Sequence, residues 1–169
     1  MFFKHPHCQW IIDGCFKVPQ GWKQLIVVSI VLPFERLLFR FAYILTDSKS
    51  KDSYEEIFQI LLEILKMEEK AVQLPLVVSL DFEAALINSV QTVHKPESVI
   101  GCFFHYSQAF WRKANDMKLR KHEIKLLTIV LITSMRFLCF VSKNDVVGLW
   151  DQIKEAFRMF RMFETIMIF

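Results

Sequence analysis

Two aspartates stand where a carboxylate is expensive. Asp13 lies inside the run Gln9–Lys17 (QWIIDGCFK), and Asp81 closes the run Leu74–Asp81 (LPLVVSLD); the residues around both are mainly aliphatic or aromatic. A lone carboxylate there would lose its hydration without return. Two of them at the open end of a sheet can instead hold a divalent cation such as Mg²⁺, which binds one or two carboxylates together with water and substrate phosphate. Asp81 has a second reading as a helix N-cap, because Phe82-Glu83-Ala84 follows it, and the two roles are compatible. Glu83 reads as a first-turn residue that complements the helix dipole. Cys102 and His105 supply half a zinc ligand set, but no second pair follows at finger spacing, and His94, His122 and Cys139 are isolated. Arg112, Lys113, Lys118, Arg120, Lys121 and Lys125 place six basic residues within fourteen positions beside Trp111. They form either a DNA-facing patch that neutralises phosphates or a solvated helical face.

Whether the aspartates meet depends on the elements that carry them. Gln9–Lys17 reads as a strand, and Gln24–Leu32 (QLIVVSIVL) as a strand covered on both faces and ended by Pro33. Phe39–Thr46 (FRFAYILT) reads as a third strand, closed by a polar turn at Asp47–Asp52. The period then changes. Tyr54, Ile57, Phe58, Leu61, Leu62 and Leu65 mark one face of a helix over Ser53–Glu69, with Asp52 or Ser53 as N-cap. Leu74–Asp81 follows as a strand, Phe82–His94 as a helix, Val99–Phe104 as a fifth strand, and Tyr106–Asn115 as a third helix. From Lys118 onward the spacing is helical, near Lys121–Val141 and again near Asp145–Phe169. A three-strand meander followed by a helical crossover returns the fourth strand parallel to the first, which sets Asp13 and Asp81 on neighbouring strands about 4.8 Å apart.

Composition excludes several classes. The chain has 169 residues, 53% hydrophobic and 23% charged, with seventeen Phe, four Trp and three Tyr, so it is neither disordered nor fibrous. A net charge of +3 is too small to announce nucleic-acid binding by itself. The scattered Cys8, Cys15, Cys102 and Cys139 form no CxxC pair, as expected of reduced thiols in the cytosol or nucleus, and His5, His7 and Cys8 read as a flexible terminus. The longest apolar stretch, Ile124–Val141, contains Lys125 and Arg136 and falls short of the roughly 20 apolar residues of a spanning helix, so no membrane segment is expected.

Four segments in order, Ile12–Gln24 (IDGCFKVPQGWKQ), Tyr43–Leu61 (YILTDSKSKDSYEEIFQIL), Asp81–Ala85 (DFEAA) and Gly101–Lys113 (GCFFHYSQAFWRK), resemble the transposase domain of Mutator-like elements, the MULE family. The resemblance spans about Trp10 to Lys113 and continues weakly through Phe137–Phe169. It implies an α/β, ribonuclease-H-like fold: a mixed five-stranded sheet flanked by helices over residues 1–115, then the start of an all-helical insertion over 116–169. It also implies DNA strand cleavage and transfer with Mg²⁺ or Mn²⁺ held by three acidic residues, DNA as partner, and action in the nucleus.

Asp13 matches the family's first catalytic aspartate, in a motif that reads Asp13-Gly14-Cys15-Phe16 here with Cys15 in place of Thr. Asp81 matches the second, with Leu80 in place of the usual Thr. Cys102 and His105 match the family's C-x-x-H signature. His105 is then either a group beside the metal site that contacts phosphate or orients water, or a partly buried histidine held by a hydrogen bond. The third family acid lies past the helical insertion, and the chain is expected to stop inside it, near Met162-Phe163-Glu164, which resembles the family's Tyr-Phe-Glu. No residue matches that acid, and Glu155 and Glu164 are weak substitutes. A truncated transposase, exposing apolar C-terminal helices through which it self-associates, and an inert remnant that at most binds DNA or protein are the two expectations.

Overall fold

The computed structural model describes residues 8–15, 18–32, 37–68, 74–119 and 125–158. Phe16, Pro33, Arg120, Lys121, His122, the first seven residues and the stretch around Glu164 lie outside them. The chain divides into two compact units, Met1–Cys102 and Phe103–Phe169.

Among the described residues, the first unit is a mixed sheet with two helices. Its strands are β1 (Gln9–Cys15), β2 (Gln24–Leu32), β3 (Leu37–Thr46), β4 (Val77–Leu80) and β5 (Ser98–Gly101), with α1 (Lys51–Glu68) between β3 and β4 and α2 (Ala84–Val93) between β4 and β5. The strands lie in the order β3-β2-β1-β4-β5. β1, β2 and β3 pair antiparallel, and β4 runs parallel to both β1 and β5, as the meander and crossover require.

Register decides which residues share the covered face. Leu80, Ile12 and Val28 form one cross-sheet row, and Val78, Trp10 and Ile30 the next. All six are buried and pack with Tyr54, Phe58, Leu61, Leu62 and Leu65 of α1 and Leu86 and Val90 of α2. The pairing of β2 with β3 shifts between Val28 and Ser29, so Phe41 is the extra residue of a bulge. Its ring lies 5.2 Å from that of Trp10.

Element ends depart from the sequence reading for local reasons. α1 begins at Lys51, and its cap is Ser50, whose Oγ accepts the amide of Ser53 at 3.2 Å, in place of Asp52 or Ser53. β4 is four residues long, with Pro75 outside it: a proline has no amide for the ladder, and its carbonyl is bonded to His94 Nε2 at 2.9 Å. β5 stops at Gly101 because its partner β4 ends opposite it at Leu80. Phe103 and Phe104, read as strand, therefore open the next helix.

The second unit is helical: α3 (Phe103–Asp116), α4 (Lys125–Phe137), a 3₁₀ turn (Leu138–Phe140) and α5 (Val146–Arg158). Ala114, Leu119, Leu131, Ile132, Met135, Ile153 and Phe157 form its core, and Trp111 packs against it. The Tyr106 hydroxyl donates to the Met135 carbonyl, and the Thr128 hydroxyl to the Leu119 carbonyl. Leu126, Val130, Phe137, Phe140 and Val147 remain exposed. No helix among the described residues is long and apolar enough to cross a membrane.

Two outcomes follow from the first unit's packing. Trp10→Ala removes a side chain that is 2% exposed and should cost roughly 3–5 kcal/mol in chemical denaturation. His94 stacks on Trp10, and burial, opposed by the bond to Pro75, lowers its pKa below the ordinary 6.5. The unfolded chain then binds the proton more readily, so the His94 contribution is intact above pH 6.5 and is lost as pH falls below it. Melting temperature should drop between neutral pH and pH 5, and His94→Gln should flatten that drop.

Candidate active site

Parallel pairing of β1 with β4 does the positioning. The last paired residues are Ile12 and Leu80, so Asp13 and Asp81 are the next residues on two adjacent strands that run the same way. Their backbones therefore stand at one level, separated by about the 4.8 Å strand spacing. Asp13 is exposed and Asp81 half-buried, at the carboxyl end of the sheet. Cys102 stays on the same edge, its amide donating to the Leu80 carbonyl at 2.7 Å.

Asp81 is held by its own loop. Its Oδ1 accepts the amide of Glu83 at 3.1 Å, a turn that closes ahead of α2. α2 starts at Ala84, two residues later than expected, so Asp81 bonds the turn amide while Glu83 occupies the N-cap position without a side-chain cap bond. The Glu83 carboxylate is used elsewhere: its Oε1 accepts the Tyr54 hydroxyl at 2.9 Å. That hydroxyl also lies 2.9 Å from Gln24 Oε1. A phenol has one proton, and the charged carboxylate is the stronger acceptor. Gln24 Nε2 is buried with no hydrogen-bond partner; an amide turned over would donate from Nε2 to the Tyr54 oxygen and leave Oε1, in place of Nε2, beside Gly14. Burial, and after it Glu83 and Asp81, keep the Tyr54 hydroxyl protonated far above the usual tyrosine range.

Gly14 completes this arrangement. A Cβ at Gly14 would lie 2.3 Å from Gln24 Nε2 and 3.1 Å from its Cδ, so the glycine beside Asp13 is the space in which the Gln24 amide sits. A second glycine does the same on β5, where a Cβ at Gly101 would strike the Phe82 ring at 2.4 Å. Neither Gln24 nor Tyr54 stands out as a site residue in the sequence. Their signal was a polar residue opening a strand otherwise almost wholly aliphatic and a tyrosine heading the apolar face of α1.

The remaining sequence candidates belong to the second unit. His105 lies within the first turn of α3, not in a segment preceding that helix, and its ring meets Phe104 edge-on at 5.6 Å. Arg112 and Lys113 are on the last turns of α3, and Arg112 donates to Gln108 Oε1 one turn earlier. Lys118 is exposed and takes a positive φ of 55° where the chain leaves the helix. Arg120 and Lys121 lie outside the described residues. Glu155 is exposed and faces Arg158 on its own helix at 3.4 Å.

Asp13 and Asp81 fit a cation that takes one or two carboxylates and completes its shell with water and phosphate. Among the described residues, no group of three or more His, Cys, Asp or Glu side chains is placed to hold a metal.

A family model, MULE transposase domain, matches residues 9–109, which cover β1 through the first half of α3. No curated protein matches the chain. With the matched segment reaching from the strand that carries Asp13 past Asp81 to the Cys102–His105 motif, the chain belongs to the MULE transposase domain family.

Proposed function

We propose that this chain is the ribonuclease-H-like core of a Mutator-like transposase, acting on transposon-end DNA in the nucleus, with Asp13 and Asp81 as its metal-binding carboxylates. The observation that carries the reading is the register: Ile12 opposite Leu80 puts the two aspartates side by side, in a chain whose family moves DNA. When bound, Mg²⁺ or Mn²⁺ would supply charge neutralisation at the scissile phosphate and an activated water or 3′-hydroxyl nucleophile.

The chain's own groups do the rest. Asp13, exposed near the end of β1, and Asp81, whose Oδ1 accepts the Glu83 amide, are the two carboxylates that would hold the cation. His105, the basic end of α3 at Arg112 and Lys113, and Lys118 beyond it would contact phosphates and make binding salt-dependent; Arg120 and Lys121 extend the same charge in sequence. Two-metal chemistry needs more anionic oxygen than two carboxylates provide. These residues alone therefore bind the cation weakly and do not cut. In that state the chain's activity is binding, which is the second reading.

Mn²⁺ titration of the full chain tests this. Asp13→Asn and Asp81→Asn should each weaken binding at least tenfold without altering the fold, and wild-type protein should leave terminal-repeat DNA intact. Cleavage by these 169 residues that is abolished by Asp81→Asn would show that a third acid is already present. Unchanged Mn²⁺ affinity in both variants would remove the metal assignment.

A further inference from the structure

A path of packed and hydrogen-bonded side chains runs from the glycine beside Asp13 to Asp81, through groups that the proposed metal chemistry does not itself use. It starts at Gly14, next to Asp13, where the missing Cβ makes room for the Gln24 amide. Gln24 meets the Tyr54 hydroxyl, Tyr54 donates to Glu83, and the Glu83 amide is taken by Asp81. Gln24 and Tyr54 are both 0% exposed. Burying an amide and a phenol inside an otherwise apolar core is costly, and Leu and Phe would fill the same volume without that cost. Stability alone therefore does not account for these residue types.

We propose that Tyr54, backed by Gln24, is a positioning residue for the metal site: by holding Glu83 it fixes the turn that presents Asp81 beside Asp13. Glu83 acts here through the shape of its carboxylate as an acceptor and is not a ligand. The inference rests on the assignment of Asp13 and Asp81 as metal carboxylates, and it adds to that site Gln24 of β2 and Tyr54 of α1, acting through Glu83 of the turn that follows Asp81.

Mn²⁺ affinity and thermal unfolding are measured on the full chain for wild type, Asp81→Asn, Tyr54→Phe, Glu83→Gln and Glu83→Ala. Loss of binding in Asp81→Asn establishes the underlying metal assignment, and unchanged binding there defeats that assignment and this inference together. With it established, Tyr54→Phe should lower affinity roughly three- to tenfold in a protein that is still folded at the assay temperature. Glu83→Gln keeps the accepting oxygen and should bind Mn²⁺ within about twofold of wild type, whereas Glu83→Ala should lose as much as Tyr54→Phe. Wild-type affinity in Tyr54→Phe would overturn the positioning role. Equal loss in Glu83→Gln and Glu83→Ala would also overturn it, by showing that Glu83 acts through its charge. If Tyr54→Phe does not fold, the Glu83 pair decides the question by the same criterion.

Discussion

Everything around the two aspartates depends on one register, Ile12 opposite Leu80 in the parallel pair β1 and β4. Side chains alternate along a strand, so a slip of one residue would exchange the buried Ile12 and Trp10 for Ile11 and Asp13 on the covered face. The core forbids that slip. Trp10 and Ile12 are each 2% exposed, locked between the β2 rows and the apolar faces of α1 and α2. The energy that fixes the register is hydrophobic, and the placement of Asp13 level with Asp81 is its consequence.

The polar side chains at that end of the sheet refine what the core sets coarsely. Strand pairing fixes where the Asp81 backbone leaves β4, but the residues that follow belong to no ladder and need their own constraints. The Asp81–Glu83 turn supplies one, and the Tyr54 hydroxyl on Glu83 supplies another. Gly14 and Gly101 show the same economy of space, each leaving room for a neighbouring side chain to close over the backbone.

Much of this was legible in the sequence because the signals were strong and local. The continuous aliphatic run of β2 and the i, i+3, i+4 spacing from Tyr54 to Leu65 specify their elements without tertiary help. The strand-to-strand order follows from connection lengths, and the parallel neighbours Asp13 and Asp81 follow from that order. Boundaries were harder. Phe103 and Phe104 continue an apolar run and read as strand, yet no ladder extends that far once β4 ends at Leu80. Asp52 and Ser53 both look like caps, and only the bond from the Ser53 amide to Ser50 Oγ selects the residue. The link from Gln24 through Tyr54 to Glu83 joins positions far apart in sequence, so no local pattern announces it.

Paramagnetic broadening of backbone amide resonances by substoichiometric Mn²⁺ tests most directly whether Asp13 and Asp81 hold one cation together. The amides of Gly14, Phe82 and Cys102 should broaden first and together, while those of Val31, at the opposite end of the sheet where Gln9 pairs with it and with Val77 beyond, should persist. Broadening that begins at residues remote from the Ile12 and Leu80 strand ends, or that spreads evenly over the chain, would contradict the account.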